Sequence, residues 1–190
     1  MKRHLHIIGI IGLLLALYGI ISAVFYSNIL WYSYFVVGGT LFLAYANCRL
    51  KNDSILKHDR KYILKTYGIY LLFTILIEIA GRFVLGLWNY PFFSLMDEFV
   101  HVFLIGYPFV FFFVRESFVM INKKTGLLAA IILTTLVNAF VHEIPNTFVW
   151  VWVYTIPYVT LEIFQINIVV IVGWAILVLV PLITKRIIDR

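Results

Sequence analysis

The chain has 190 residues, of which 63% are hydrophobic and only 13% are charged, and its mean hydropathy is +1.00. A soluble domain is about half apolar and about a quarter charged, so a water-soluble fold of this size is excluded. The net charge of +6 comes from short basic clusters at the ends of apolar runs, which excludes a nucleic-acid-binding patch. The composition predicts an integral membrane protein whose first partner is the lipid bilayer.

Six apolar runs approach the length of about 20 residues that crosses the hydrocarbon core. The first follows Met1-Lys2-Arg3-His4 and is too long for the apolar region of a signal peptide, so we interpret it as a retained span. We therefore predict an all-α fold, with residues 1–190 forming one six-span helix bundle. The runs cover Leu5–Phe25, Ile29–Asn47, Thr66–Leu87, Leu95–Val114, Gly126–His142 and Ile163–Ile183.

Basic residues predict the orientation of this bundle. Fourteen of the 15 lie on one side of the runs, and the opposite connections have no Lys or Arg. Because cytoplasmic loops carry the excess of Lys and Arg, we expect both termini in the cytoplasm and a multi-pass protein of the plasma membrane. The fourteen are Lys2, Arg3, Arg49, Lys51, Lys57, Arg60, Lys61, Lys65, Arg115, Lys123, Lys124, Lys185, Arg186 and Arg190.

Aromatic residues gather at the outer ends of the predicted spans. Amphipathic rings prefer the membrane interface, so an interfacial belt is one interpretation and the walls of a ligand pocket are the other. The candidate pocket walls are Trp88, Tyr90, Trp152 and Tyr154.

Within Pro145–Pro157, aromatic residues alternate with valines as in a strand. A lone strand leaves its backbone unpaired in lipid, so we predict a short interfacial helix or re-entrant segment there.

The two outer aromatic segments resemble each other. Trp88-x-Tyr90 is followed by Glu98, eight residues after the tyrosine, and Trp152-x-Tyr154 is followed by Glu162 at the same spacing. Each glutamate is predicted to open the next span. A parallel repeat and a chance coincidence are both compatible with this pattern, whereas an inverted repeat is not.

Ionisable groups in the outer half of the spans form the candidate functional site, because such groups are costly in a membrane and usually mark function. Residues four apart share a helix face, which groups several of them into stripes. One stripe runs from Tyr70 through Thr74 to Glu78 and Arg82, another from Thr134 through Asn138 to His142, and Glu162 with Gln165 begins a further one. The candidate site residues are Glu78, Arg82, Asp97, Glu98, His101, His142, Glu143 and Glu162.

Two interpretations of this cluster remain open. Neighbouring pairs, Glu78 with Arg82 and Asp97 with His101, would neutralise each other in a purely structural role. The excess of acids favours instead a cation, bound protons or a basic ligand, and permits acid–base chemistry. In either case we predict that Arg82 faces inward and contacts Glu78, Asp97 or Glu98.

A metal site is not predicted from this cluster. Glu98-x-x-His101 matches the element used in di-iron bundles, but only one copy is present. The sequence identifies no cofactor.

One stretch resembles a known family. Asp97, His101, Gly106 and Pro108 follow the pattern D-x-x-x-H-x-x-x-x-G-x-P, and Arg115-Glu116 follow at the helix exit. Together with Ala139-Phe140-Val141-His142-Glu143, they resemble the YjdF-like family of small polytopic bacterial membrane proteins, whose biochemical role is not established. The interval between His101 and Gly106 is one residue longer than in that pattern, and the family's later Trp- and Asp-rich stretch is missing.

A weaker resemblance concerns the lycopene-cyclase-type membrane domain. Gly86-Leu87-Trp88-Asn89-Tyr90 and Asp97-Glu98-Phe99 are similar to its G-x-W-x-Y and acidic-acidic-Phe elements, although they stand closer together here. The resemblance implies acids that protonate a polyene.

Three classes of function follow from these observations. The first is an outer-leaflet pocket that handles a lipid or isoprenoid-like molecule, with or without acid–base chemistry. The second is a non-enzymatic membrane component that acts through partners, and the third is a proton- or cation-coupled transporter, for which six spans are few unless the chain forms a homo-oligomer.

Overall fold

The computed structural model describes the backbone of residues 2–189 and the side chains of residues 4–189. The side chains of Lys2 and Arg3 and the whole of Arg190, which belong to the predicted charge pattern, lie outside the described residues. Within the described part the fold is nearly all-α. Its helices are α1 (Lys2–Tyr26), α2 (Trp31–Arg49), α3 (Arg60–Val84), α4 (Leu95–Asn122), α5 (Leu127–Val149) and α6 (Ile168–Ile188), with a short 3₁₀ turn at Ile55–Lys57.

Five of these six helices are long and apolar enough to cross a membrane, and α2 is not among them. With 19 residues α2 is long enough, so its composition sets it apart. Its polar residues are buried against other helices: Thr40 Oγ1 donates to the carbonyl of Phe109 at 3.0 Å, and Asn47 Nδ2 donates to the carbonyl of Glu116 at 2.9 Å. A helix enclosed by its neighbours does not need a lipid-facing apolar surface.

The connections sort into two ends of the bundle. At the basic end, Lys185 Nζ lies 3.7 Å from Asp53 Oδ2, and Lys123 Nζ donates to the carbonyl of Leu50 at 2.8 Å. His6, near the start of α1, reaches Tyr45 near the end of α2. At the aromatic end, residues 85–94 and 150–167 pair with each other. The connections predicted from the charge pattern to share a side therefore do share one end.

Small residues allow α1 and α2 to pack closely. A Cβ added to Gly38 would lie 2.6 Å from the carbonyl oxygen of Gly12 and 2.4 Å from the nitrogen of Ala16. Small residues at a helix interface let the backbones approach in this way. The first two helices thus form a tight antiparallel hairpin.

Two helices are π-helical at the aromatic end, over Glu78–Val84 in α3 and Glu98–Gly106 in α4. Such segments accommodate an additional residue and are frequent at functional sites. In α4 the segment precedes Pro108, which cannot donate a backbone hydrogen bond. Tyr67 Oη instead donates to the carbonyl of Leu104 at 2.7 Å, four residues before that proline.

Two short strands correct the prediction for Pro145–Pro157. Helix α5 continues through Pro145 to Val149 and ends at Trp150, which has the left-handed φ of 57°. Strand β2 (Val153–Tyr154) then pairs antiparallel with β1 (Trp88–Asn89). The predicted helix or re-entrant segment is wrong, because the strand is not alone: the connection at residues 85–94 supplies its pairing partner.

A second hairpin corrects the predicted start of the last span. Strands β3 (Glu162–Ile163) and β4 (Ile166–Asn167) pair around Phe164 and Gln165, both at positive φ, as a tight two-residue hairpin turn requires. Asn167 caps α6 by accepting from the backbone of Val169 at 2.9 Å. Glu162 is exposed on this hairpin, so the predictions that it opens the span and shares a stripe with Gln165 are wrong.

Candidate functional site

The first buried carboxylate at the aromatic end belongs to Glu78, whose exposed fraction is 0%. Trp88 Nε1 donates to its Oε1 at 3.1 Å, and Tyr90 Oη donates to the same oxygen at 2.8 Å. Its other oxygen, Oε2, has no hydrogen-bond partner among the described residues. Trp88 can lie against α3 because residue 81 is glycine: a Cβ there would stand 1.8 Å from the indole ring.

The second buried carboxylate belongs to Glu143. Trp152 Nε1 donates to its Oε2 at 2.9 Å, while Tyr154 Oη at 2.8 Å and Trp174 Nε1 at 2.9 Å donate to its Oε1. Both carboxylate oxygens therefore accept hydrogen bonds. Hydrogen bonds to a charged acceptor are about twice as strong as neutral ones, so this arrangement suits an anion held by neutral donors.

The two arrangements repeat one local motif. Trp88 and Tyr90 follow Glu78 by 10 and 12 residues, and Trp152 and Tyr154 follow Glu143 by 9 and 11. The strands carrying both motifs pair, with Trp88 opposite Tyr154. The similarity noticed in the sequence thus has a structural counterpart.

The shared acid of this motif, however, precedes each Trp-x-Tyr rather than following it. The repeat considered in the sequence does not extend to Glu98 and Glu162, because Glu98 is partly buried while Glu162 is exposed.

The predicted contact of Arg82 with a carboxylate is confirmed. Its Nη1 and Nη2 bind Glu98 Oε2 and Oε1 at 2.6 and 3.0 Å, a bidentate pair. Glu78 Oε2 lies farther away, at 3.8 Å, and the guanidinium carbon stands 4.9 Å from the centre of the Tyr90 ring. The principal partner is therefore Glu98 on α4, with Glu78 in the second place.

Asp97 and His101 do not form the predicted pair. Asp97 Oδ2 accepts from the Ser94 hydroxyl at 2.6 Å and the Ser94 backbone at 3.1 Å, which makes a capping box at the start of α4. His101 Nδ1 instead forms a 2.8 Å hydrogen bond with Ser33 Oγ. Each side chain is held instead by a different partner, Asp97 by Ser94 at the start of its own helix and His101 by Ser33 on α2.

His142 lies in an aromatic cage. Its exposed fraction is 0%, its Nδ1 forms a 2.9 Å hydrogen bond with Tyr32 Oη, and its ring packs against Phe35, Phe113 and Trp174. The stripe predicted on α5 is buried throughout, since Thr134 and Asn138 are also at 0%.

A cavity of about 540 Å³ lies beside these groups, within the 300–1,000 Å³ typical of ligand sites. All four predicted wall residues line it: Trp88, Tyr90, Trp152 and Tyr154. Burial, and then the adjacent Glu78 or Glu143, raises the pKa of the Tyr90 and Tyr154 phenols well above the ordinary value of 10. Both phenols therefore stay protonated and donate.

The remaining candidate residues divide around this cavity. Glu143 and His101 line it, whereas Glu78, Arg82 and Glu98 stand behind the wall. Glu98 and His101, the pair considered as metal ligands, bind Arg82 and Ser33 instead. Within residues 4–189, no three His, Cys, Asp or Glu side chains are grouped as a metal site requires.

Sequence reasoning missed a polar network at the basic end. Glu116 is fully buried and accepts from Asn47 Nδ2 at 2.8 Å, from the backbone of Ile55 at 2.9 Å and from Arg115. Arg115 Nη2 also donates to Asp53 Oδ2 at 2.8 Å. The network ties residues 50–59 to α4. Its signals were present in the sequence, as Asn47 within an apolar run and the adjacent Arg115-Glu116.

The charge on Asp53 depends on the same network. Burial opposes ionisation of its carboxyl, but Arg115 and a 3.0 Å hydrogen bond with His58 outweigh burial and lower the pKa of Asp53. Asp53 is thus held as an anion between cationic neighbours, whereas the aromatic-end carboxylate of Glu143 is held by neutral donors.

Comparison with protein-family models, curated proteins and solved structures gave no match. The resemblances to the YjdF-like family and to the lycopene-cyclase-type domain therefore stay predictions.

Proposed function

We propose that the chain is a multi-pass protein of a bacterial plasma membrane that holds a lipid or isoprenoid-like molecule in its aromatic-end cavity. The observation that supports this most is a cavity of about 540 Å³ walled by aromatic rings and bordered by the carboxylate of Glu143. Ligand pockets are mostly apolar, with a few convergent polar groups. A carboxylate kept deep in an apolar bundle is costly and usually functional.

The proposed orientation has both termini and the basic end in the cytoplasm, and the cavity in the outer leaflet. Its support is the absence of Lys and Arg from the sequence of the aromatic-end connections. A reporter enzyme placed after Lys124 should be active on the cytoplasmic side, and one placed after Asn89 on the external side. The opposite pattern would reverse the leaflet assigned to the cavity.

Lipid extraction tests the proposed occupant. The purified protein should release an apolar molecule, measured by mass spectrometry, at about one per chain. Gly173 lines the cavity, and a Cβ there meets no described atom within 4 Å. The variant Gly173→Phe should therefore fill the cavity and abolish binding of the apolar molecule. Gly68→Phe is the matched control, since Gly68 is an exposed helical glycine with equally open space that does not line the cavity.

A second candidate is a non-enzymatic membrane component. The observation in its favour is that Glu143 already accepts hydrogen bonds from Trp152, Tyr154 and Trp174, which is also what a structural carboxylate requires. Under this function the purified protein releases no stoichiometric apolar molecule, and Gly173→Phe changes nothing measurable except stability.

A further inference from the structure

We infer that the cavity opens sideways to the bilayer through a slot between α3 and α6, and that it admits the apolar chain of a bilayer amphiphile while the polar head stays outside. The inference rests on the proposed function, because it specifies how the cavity is reached and which part of the ligand enters. The slot is defined by Leu76 and Leu85 on one side and by Val169 and Ile176 on the other.

These four residues define the slot because each lines the cavity and is also exposed at the surface. Their exposed fractions are 52% for Leu76, 64% for Leu85, 37% for Val169 and 61% for Ile176. A residue that contributes to both surfaces stands at the rim between them. All four are aliphatic, so the rim matches hydrocarbon rather than water.

The slot is closed towards the basic end. There α3 and α6 join one apolar cluster in which Tyr70 packs with Val180 and with Phe111 and Phe112 of α4. At the opposite end, the paired strands β1 and β2 cover the cavity with Trp88 and Tyr154. The remaining opening therefore faces the side of the bundle, between α3 and α6.

The polar groups of the cavity wall explain why a chain enters rather than a head. Tyr32 binds His142, and Ser33 binds His101. The wall groups that donate to Glu78 or Glu143 are the indoles of Trp88, Trp152 and Trp174 and the phenols of Tyr90 and Tyr154. Polar groups cost free energy when they are buried without hydrogen bonds, and a charged head would find most donors of the wall already engaged.

Charge at this end supports the same conclusion. Arg82 is the one basic residue placed there by the sequence, and both of its terminal nitrogens bind Glu98. A phosphate would therefore find no free Lys or Arg among the described residues at this end. The ligand chemistry is an unbranched or isoprenoid hydrocarbon chain.

Tryptophan quenching by brominated lipid tests the slot, since three of the five tryptophans, Trp88, Trp152 and Trp174, line the cavity. Trp150 is 44% exposed, so Trp150→Phe provides the background. The full chain is placed in vesicles of phosphatidylcholine brominated in mid-chain. We expect strong quenching in this background, loss of the cavity component on adding Gly173→Phe, and no loss on adding Gly68→Phe.

Competitor molecules show which kind of hydrocarbon chain occupies the cavity and which part of the ligand enters it. Farnesol that restores fluorescence assigns the cavity to an isoprenoid chain, and persistent quenching assigns it to the acyl chain; both results support entry of the apolar part. Soluble phosphocholine should have no effect, and fluorescence recovery with it would overturn the exclusion of the head.

The outcomes separate this inference from the proposed function. Equal quenching with and without Gly173→Phe, in protein whose circular dichroism and thermal midpoint are unchanged, overturns the slot. A stoichiometric apolar molecule in the extract, without cavity quenching by brominated lipid, overturns sideways entry and leaves the proposed function standing. Absence of both the bound molecule and the quenching overturns both. If Gly173→Phe does not fold, Gly173→Val serves with the same criteria.

Discussion

Glu78 and Glu143 occupy similar local motifs but are held differently. Both are buried carboxylates that receive a Trp and a Tyr from paired strands. Glu143 gains a third donor, Trp174, and has both oxygens occupied. Glu78 keeps one oxygen without a hydrogen bond and has Arg82 at 3.8 Å. The same local motif therefore holds Glu143 by neutral donors on both oxygens and leaves Glu78 beside an ion pair with one oxygen free.

The residue three positions after each glutamate accounts for part of the difference. After Glu78 it is Gly81, which leaves room for the Trp88 ring against the helix. After Glu143 it is Asn146, whose side chain bonds the backbone of Trp152, with Nδ2 donating to the carbonyl at 2.8 Å. The first tryptophan is therefore held by its ring and the second by its backbone as well.

Breaking the ion pair should have the largest effect. Arg82→Leu leaves Glu98 without its bidentate partner and Glu78 without its nearest cation. Removing one member of a fully buried pair costs about 3–5 kcal/mol, and because this pair is only partly buried we expect a loss near the lower end of that range. Thermal unfolding in detergent measures the loss. The double variant Arg82→Leu with Glu98→Leu should be far milder; a double variant as unstable as the single one would show that the pair is not the cause.

Replacing each carboxylate by its amide sharpens the comparison. Glu143→Gln turns one occupied acceptor into a donor, so one of three donors is left buried and unpaired at a cost of about 1–3 kcal/mol. In Glu78→Gln the amide nitrogen takes the position of the free Oε2, and we expect a cost below about 1 kcal/mol. Denaturant unfolding of the two variants tests this order, and equal losses would refute the asymmetry between the halves.

Filling the space beside Trp88 should displace that ring from Glu78. A Cβ at residue 81 would meet the indole at 1.8 Å, and overpacking of this kind costs about 1–3 kcal/mol. Gly81→Ala should therefore lower stability and shift tryptophan emission. Gly68→Ala, which meets no described atom within 4 Å, is the control and should be neutral or stabilising by up to about 1 kcal/mol. Similar behaviour of both variants would contradict the steric explanation.

The smallest effect is expected at the basic end, where charge rather than neutral donors holds the carboxylate. The pKa of Asp53 is lowered in the folded state, so its contribution to stability is present above its unfolded pKa of about 3.9 and is lost as the pH falls through the lower folded pKa. Unfolding of the wild type should thus become easier below about pH 4, and Asp53→Asn should weaken that dependence. An identical pH profile in both proteins would exclude Asp53 as its source.

The membrane-compatible helices, the sorting of connections into two ends and the inward position of Arg82 could all be predicted from the sequence alone. These features depend on composition and helical spacing within single segments, which act over a few residues. The prediction of spans was only partly correct, because α2 is too polar to be recognised as a membrane span by its own composition. Contacts such as that of Asn47 with Glu116 hold α2 in the bundle.

Which polar groups contact each other depends on how distant segments pack. The pairing of β1 with β2 turned an alternating segment into a strand, and it brought Trp152 and Tyr154 back to Glu143. Ser94 and Ser33 bind Asp97 and His101, and the packing of α3 against α4 places Glu98 opposite Arg82. Helical spacing cannot predict such contacts, because contacts between distant segments depend on the packing of the whole bundle.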